Sequence, residues 1–167
     1  ALRYVAGSVR PTNRSLSMSP SVDDPAARAI TWKQLTDAYF TQISALIEGG
    51  VDCLLIETVF DTLNAKAALW AADEAMRSLG MKVPVMLSVT LTEGGRTLSG
   101  QTIEAMLASV AHAPLMSVGL NCGFGAEGML PWIEQLAAAT TLPVSVYPNA
   151  GLPNEMGCYD ETPDTMV

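Results

Sequence analysis

The chain is poor in several things that common binding surfaces require. Of its 167 residues only 9 are Lys or Arg, against 17 Asp or Glu, for a formal net charge of −8. No basic cluster exists to offset phosphates, so nucleic acid and anionic membranes are poor partners. Aromatic residues make up 6% of the chain, which also argues against a base-stacking platform. No apolar run reaches the roughly 20 residues that span a bilayer. Residues Ala1 to Pro20 lack the basic start, apolar block and small-residue cleavage site of a secretory signal. The cysteines, Cys53, Cys122 and Cys158, are odd in number and far apart. They do not suggest a disulfide framework and point to a reducing compartment such as the cytoplasm. A start without Met and a finish at PDTMV read as a piece of something longer.

What is present is a rhythm. Apolar, β-prone runs occur at Tyr4–Val9, Cys53–Glu57, Val85–Thr90, Leu115–Asn121 and Val144–Tyr147. Helical patterns lie between them. Thr31 is placed to cap a helix with Trp32, Leu35, Tyr39, Ile43, Leu46 and Ile47 inward and Gly49-Gly50 as its stop. Asp61 or Thr62 caps the next, with Leu63, Ala67, Trp70, Met76 and Leu79 inward. Ser99 is the expected cap of a third, and a fourth runs from about Ala126 to Ala139, where Pro131 fits the first turn or a kink. Such βαβ spacing predicts an α/β fold with a parallel sheet covered by helices. About five βα units fit either an open doubly wound sheet or part of an eight-unit barrel, whose usual length is about 250 residues.

In both architectures the active-site residues sit at the carboxyl ends of the strands. There the sequence places Arg10 to Asn13, Glu57 to Asp61, Thr90, Asn121-Cys122 and Pro148 to Gly151, behind which the strands are almost wholly apolar. Glu57 ends a run that should be buried, so its carboxylate must be paired, hydrogen-bonded or functional. Asp61 reads as a helix cap and Asn149 as a turn residue. The stretch GGRTLSGQ, residues 94–101, lacks the spacing of a nucleotide-phosphate loop and reads as a turn. His112 falls at the other end of the sheet, so no Ser-His-Asp constellation can form. Cys122 could be core filler, a nucleophile without a nearby base, or a metal ligand. Cys53 starts its strand, about 13 Å from the polar end at ~3.3 Å per residue, and cannot join it. Cys158 follows the last strand on the correct side.

Read together, VAG-x-x-x-PTNR (5–14), LLIETVFDTLNAKAA (54–68), GRTLSGQT (95–102), GLNCGFG (119–125) and YPNAGLPN (147–154) resemble the homocysteine-binding domain of cobalamin-dependent methionine synthase. The match runs in order along essentially the whole chain. It implies that residues 1–167 are a single partial homocysteine-binding domain, a partial (β/α)8 TIM barrel holding family strands three to seven. It further implies that Cys122 is one of three zinc-ligating cysteines. The other two belong to a GGCCG motif that does not occur in this sequence. Glu57 and Asn149 match positions that hold the amino-acid end of homocysteine. The implied reaction is attack of the zinc-bound homocysteine thiolate on the methyl group of methylcobalamin, giving methionine. Methylcobalamin and methyltetrahydrofolate would be held by cobalamin- and folate-binding domains of a parent enzyme. Two departures are Ser8-Val9-Arg10, where a Gly-Pro step is common, and Cys53. The alternatives are a related zinc methyltransferase with another methyl donor, or a non-catalytic fragment that binds another chain. The isolated chain is expected to be inactive.

Overall fold

The computed structural model describes residues 2–151, 153–159 and 161–166. Strand β1 (Ala6–Val9) is followed by α1 (Trp32–Glu48), β2 (Cys53–Val59), α2 (Thr62–Leu79) and β3 (Val85–Val89). Then come α3 (Ile103–Val110), β4 (Ser117–Asn121), α4 (Ala126–Ala139), β5 (Val144–Tyr147) and a short 3-10 turn at Pro163–Thr165. The five strands are parallel and lie in one sheet in the order β1-β2-β3-β4-β5. A doubly wound sheet reverses strand order so that helices cover both faces. Here the order never reverses and each helix packs beside the next, which is how a barrel is wound. The fold is a partial TIM barrel whose sheet is not closed among the described residues. No described helix is long and apolar enough to cross a membrane.

Alternation along the strands divides the side chains between two faces. Val9, Leu54, Ile56, Leu87, Val118 and Leu120 face the helices and are buried with Leu35, Ile43, Ile47, Met106 and Leu136. The other face carries Ser8, Leu55, Glu57, Met86, Ser88, Ser117, Gly119, Asn121, Ser145 and Tyr147. A barrel interior this polar near its strand ends is a site rather than a filled core. Gly119 is required by space. It pairs with Ser145 across β4 and β5, and a Cβ there would overlap the Ser145 carbonyl and hydroxyl.

The helix caps show how far local chemistry decides. Thr31 caps α1 in a reciprocal box with Gln34, and Asp61 caps α2, both as the sequence predicts. Ser99 does not cap α3; Thr102 does, while the Ser99 hydroxyl donates to the Phe60 carbonyl at 3.1 Å. Pro131 lies inside α4 rather than in its first turn. The inward faces also differ from expectation, because Trp32, Leu63 and Trp70 are exposed. On α2 the buried stripe is Ala65, Ala67, Ala68, Leu69, Ala71, Ala72 and Ala75. Small side chains let that helix approach both α1 and the sheet closely, which a face led by Trp70 would prevent.

The long segment between β1 and α1 is tied down by one buried carboxylate. Asp61, fully buried, accepts from the hydroxyls of Ser15 and Ser17 and from the backbone N–H groups of Ser17 and Leu63. Asn64 extends the clamp, accepting from the Leu16 N–H at 3.0 Å and donating to the Arg14 carbonyl at 2.8 Å. Burial alone would push the Asp61 carboxyl up, but these donors outweigh it and hold it below its ordinary value. Burial also pushes the Tyr39 phenol up to about 12, opposed by the Thr12 backbone and aided by Asp61.

Two outcomes are expected. Because the folded carboxyl titrates below the unfolded one, the stability contributed by Asp61 is fully present above about pH 4 and is lost as pH falls through the folded value. Asp61→Asn should cost about 2 kcal/mol at neutral pH and flatten the acid limb, read by urea unfolding across pH. Gly119→Ala should cost about 3 kcal/mol in the same measurement, because the backbone of β5 has to move.

Candidate active site

The carboxyl end of β2 departs from regular strand geometry. Ile56 pairs with Leu87 and Val59 with Val89, so β2 spends one more residue than β3 over the same stretch. This bulge holds Glu57 and Thr58, and Thr58 adopts a left-handed φ of 58°. A β-branched residue rarely accepts that conformation, so something must hold it. Bulges commonly re-aim side chains beside active sites.

Asn121, the last residue of β4, supplies the hold. Its side chain is fully buried. The carbonyl Oδ1 accepts from the Thr58 N–H at 3.0 Å and from the Ser88 hydroxyl at 2.6 Å. The Nδ2 group donates to Thr58 Oγ1 at 2.8 Å and lies 3.1 Å from Cys122 Sγ. All four hydrogen-bonding positions of the amide are thus used, and they join the ends of β2, β3 and β4.

Cys122 follows immediately, half-buried, with a left-handed φ of 57°. Its N–H donates to the Tyr147 carbonyl at 3.3 Å, which extends the knot to β5. Gly123 continues the left-handed turn at φ 78°, and a Cβ there would lie 2.7 Å from the Leu91 carbonyl oxygen. The glycine therefore lets the chain leave the strand while the thiol stays at the open end. That explains the position of Cys122 better than core filling does.

Glu57 is neither a backbone-bonded carboxylate nor a partner of Thr58, the bonding that a buried strand end would favour. It accepts a hydrogen bond from the Ser8 hydroxyl of β1, and Arg10 Nε approaches to 4.0 Å. The Arg10 side chain is 68% exposed while that of Glu57 is 15% exposed, so the pair is screened on one side only and contributes little by itself. Tyr147 stands close to Glu57, Ser88 and Cys122. Burial pushes its phenol up; Ser88 opposes this, and the charge on Glu57 adds to it.

Asn149 lies two residues beyond β5, with its N–H donating to the Phe124 carbonyl at 2.9 Å. Together with Ala150, Gly151, Pro153 and Tyr159 it lines a cleft of about 330 Å³ at the rim. Cys158 is exposed. Cys53 is buried at the start of β2, and its thiol is pushed up by burial and by Asp52. Among the described residues no three His, Cys, Asp or Glu side chains come together as a metal site. In GGRTLSGQ the polar groups satisfy one another, with Arg96 donating to the Gly100 carbonyl at 2.9 Å and Thr97 to Gln101 Oε1 at 2.9 Å. It is a turn. His112 lines a groove with Trp70 and Pro114 at the starting ends of the strands. A larger cavity, of about 700 Å³, also opens at that end, and among its described lining residues Glu104 alone is ionisable.

The structure therefore gathers Glu57 and Cys122, with Asn149 at the rim and Cys53 and His112 far away. Ser8, Thr58, Ser88 and Tyr147 were not singled out from sequence. Period-two alternation puts Ser8, Ser88 and Tyr147 on the Glu57 face once the strands are paired, but the bulge at Thr58 has no sequence signal.

Comparison with known proteins identifies the family and the fold. The homocysteine S-methyltransferase family profile matches residues 1–167. Among solved structures, the apo form of the homocysteine methyltransferase MmuM from Escherichia coli superposes with a TM-score of 0.68 at 23% identity, covering 87% of this chain and 48% of that one. Its metallated form gives a TM-score of 0.58 at 25% identity over 70% of this chain and 40% of that one. The chain thus spans about half the length of the solved protein it matches. The family match covers the whole chain, and the chain belongs to the homocysteine S-methyltransferase family.

Proposed function

We propose that this chain is the homocysteine-holding part of a methyltransferase of the cobalamin-dependent methionine synthase type. The observation that carries the reading is a partly shielded carboxylate, Glu57, held by Ser8 at the open strand ends, the same end of the sheet at which Cys122 leaves β4. A homocysteine placed there finds an anion for its ammonium group at Glu57. Its sulfur points toward Cys122. The Asn149 amide at the rim can bond the remainder of its amino-acid end.

The E. coli relative is described as a homocysteine methyltransferase with a metallated form, which supports a metal here. Zinc of this kind needs three or four donors, and no three His, Cys, Asp or Glu side chains come together among the described residues. The residues present do not complete a zinc site, and Cys122 is one ligand whose partners lie elsewhere. When bound, such a metal would keep the substrate sulfur as a thiolate at neutral pH. The residues of this chain hold and orient the amino acid and shield it from water on the sheet side. The methyl donor is methylcobalamin, by the wording of VFDTLNAK and YPNAGLPN, delivered with methyltetrahydrofolate chemistry from other domains. Residues 1–167 act as one partial domain, and its three free thiols suit a reducing compartment.

Calorimetric titration with homocysteine should show binding that Glu57→Gln weakens by about tenfold or more, because a charge-assisted contact is lost. No difference between the two proteins would sink the assignment of Glu57. Zinc measured after dialysis should stay below about 0.1 per chain with or without homocysteine, since one thiolate cannot retain it. Stoichiometric zinc that rises with homocysteine would show a complete ligand set in this chain.

A further inference from the structure

One buried hydroxyl at the strand ends is left unsatisfied among the described residues. The Tyr147 hydroxyl is buried and has no partner in full hydrogen-bonding geometry among the described residues, although Ser88 and Glu57 are both close to it. An unpaired buried hydroxyl is costly, so the position asks for an explanation. Ser88 does not provide one as a donor. It has a single proton, and it spends that proton on Asn121 Oδ1 at 2.6 Å. Tyr147 must then donate, and of the two neighbouring acceptors the carboxylate of Glu57 is the stronger.

The topology makes this convergence specific. Tyr147 lies on β5 and Glu57 on β2, with β3 and β4 between them. In a flat sheet three strand spacings separate them by about 14 Å. Curling of the sheet toward its polar face brings the phenol to the carboxylate, while Ser8 on β1 holds Oε1 from the other side. The register fixes Tyr147 opposite Asn121, the residue that already joins β2, β3 and β4.

We propose that Tyr147 is a positioning residue: its buried hydroxyl donates to the Glu57 carboxylate on the side away from Ser8 and fixes it in the orientation that receives the ligand's ammonium group. This rests on the homocysteine reading above and deepens it. The two hydroxyls act as a pair of stops for the carboxylate, and Tyr147 thereby sets selectivity for an α-amino acid over a thiol acid lacking the amine.

The test compares homocysteine with its desamino analogue, 4-mercaptobutanoate, by calorimetry on the full chain. The unmodified protein should prefer homocysteine by at least about tenfold. Tyr147→Phe keeps the ring and its packing, and should weaken homocysteine about tenfold while leaving the analogue unchanged. Glu57→Gln should lose the same preference, and adding Tyr147→Phe to it should cost nothing further, since the two act through one contact. Equal weakening of both ligands in Tyr147→Phe, or full retention of the preference, would overturn the role of Tyr147 alone. An unmodified chain that binds neither ligand, or does not distinguish them, would overturn the homocysteine reading and this proposal with it.

Discussion

The buried amide of Asn121 is the interaction on which the open end of this sheet depends. Thr58 is held in a backbone conformation that its branched side chain resists, and residues in such conformations persist only where their surroundings over-determine them. Here the surroundings are one side chain, which accepts from the Thr58 N–H and donates to its hydroxyl. The same amide takes the proton of Ser88 and touches the sulfur of Cys122. A leucine at this position would leave an N–H and two hydroxyls unpaired at once. Asparagine fits because a planar amide offers donors and acceptors at opposite ends, so it can face a strand on either side.

From that constraint the site follows. The bulge that Thr58 creates aims Glu57 at the open end. The left-handed turn at Cys122 and Gly123 keeps the thiol there while the chain departs toward α4. The Asp61 clamp acts on the other wall. It draws residues 14–17 onto the start of α2, and that fixes the path of the loop carrying Arg10 past Glu57. Two buried polar residues, Asp61 and Asn121, therefore shape the mouth from opposite sides. Each is fully bonded, which is the condition under which burying polar groups is tolerated.

Much of the fold was legible in the sequence because it depends on local pattern. The five strands, the caps Thr31 and Asp61 and the extent of α4 all follow from periodicity and capping chemistry, and all stand in the structure within a few residues. Strand order was not legible from periodicity, since open and barrel sheets share the same βαβ rhythm; the ordered pairing decides it. On α2, Ala67 is in the core and Met76 and Leu79 pack against it as the periodicity predicts, but Leu63 and Trp70 are exposed, because close helix approach selects alanines over large side chains. The capping role given to Ser99 failed because its hydroxyl found the Phe60 carbonyl across the fold, a contact 39 residues away. In the candidate site, the placement of Glu57 and Cys122 at the open end could be read from their position at strand exits. Ser8, Ser88 and Tyr147 could not, because their importance arises from which strands lie beside Glu57 and how far the sheet curls.

The account makes the carboxyl ends of the strands a homocysteine site with a fixed polarity, amine to Glu57 and sulfur to Cys122. A crystal structure of the chain soaked with homocysteine tests this most directly. The expected map places the amino nitrogen within about 3 Å of the Glu57 carboxylate, with the sulfur beside Cys122. Homocysteine bound in the reverse orientation, or in the apolar cavity at the starting ends of the strands, would contradict it.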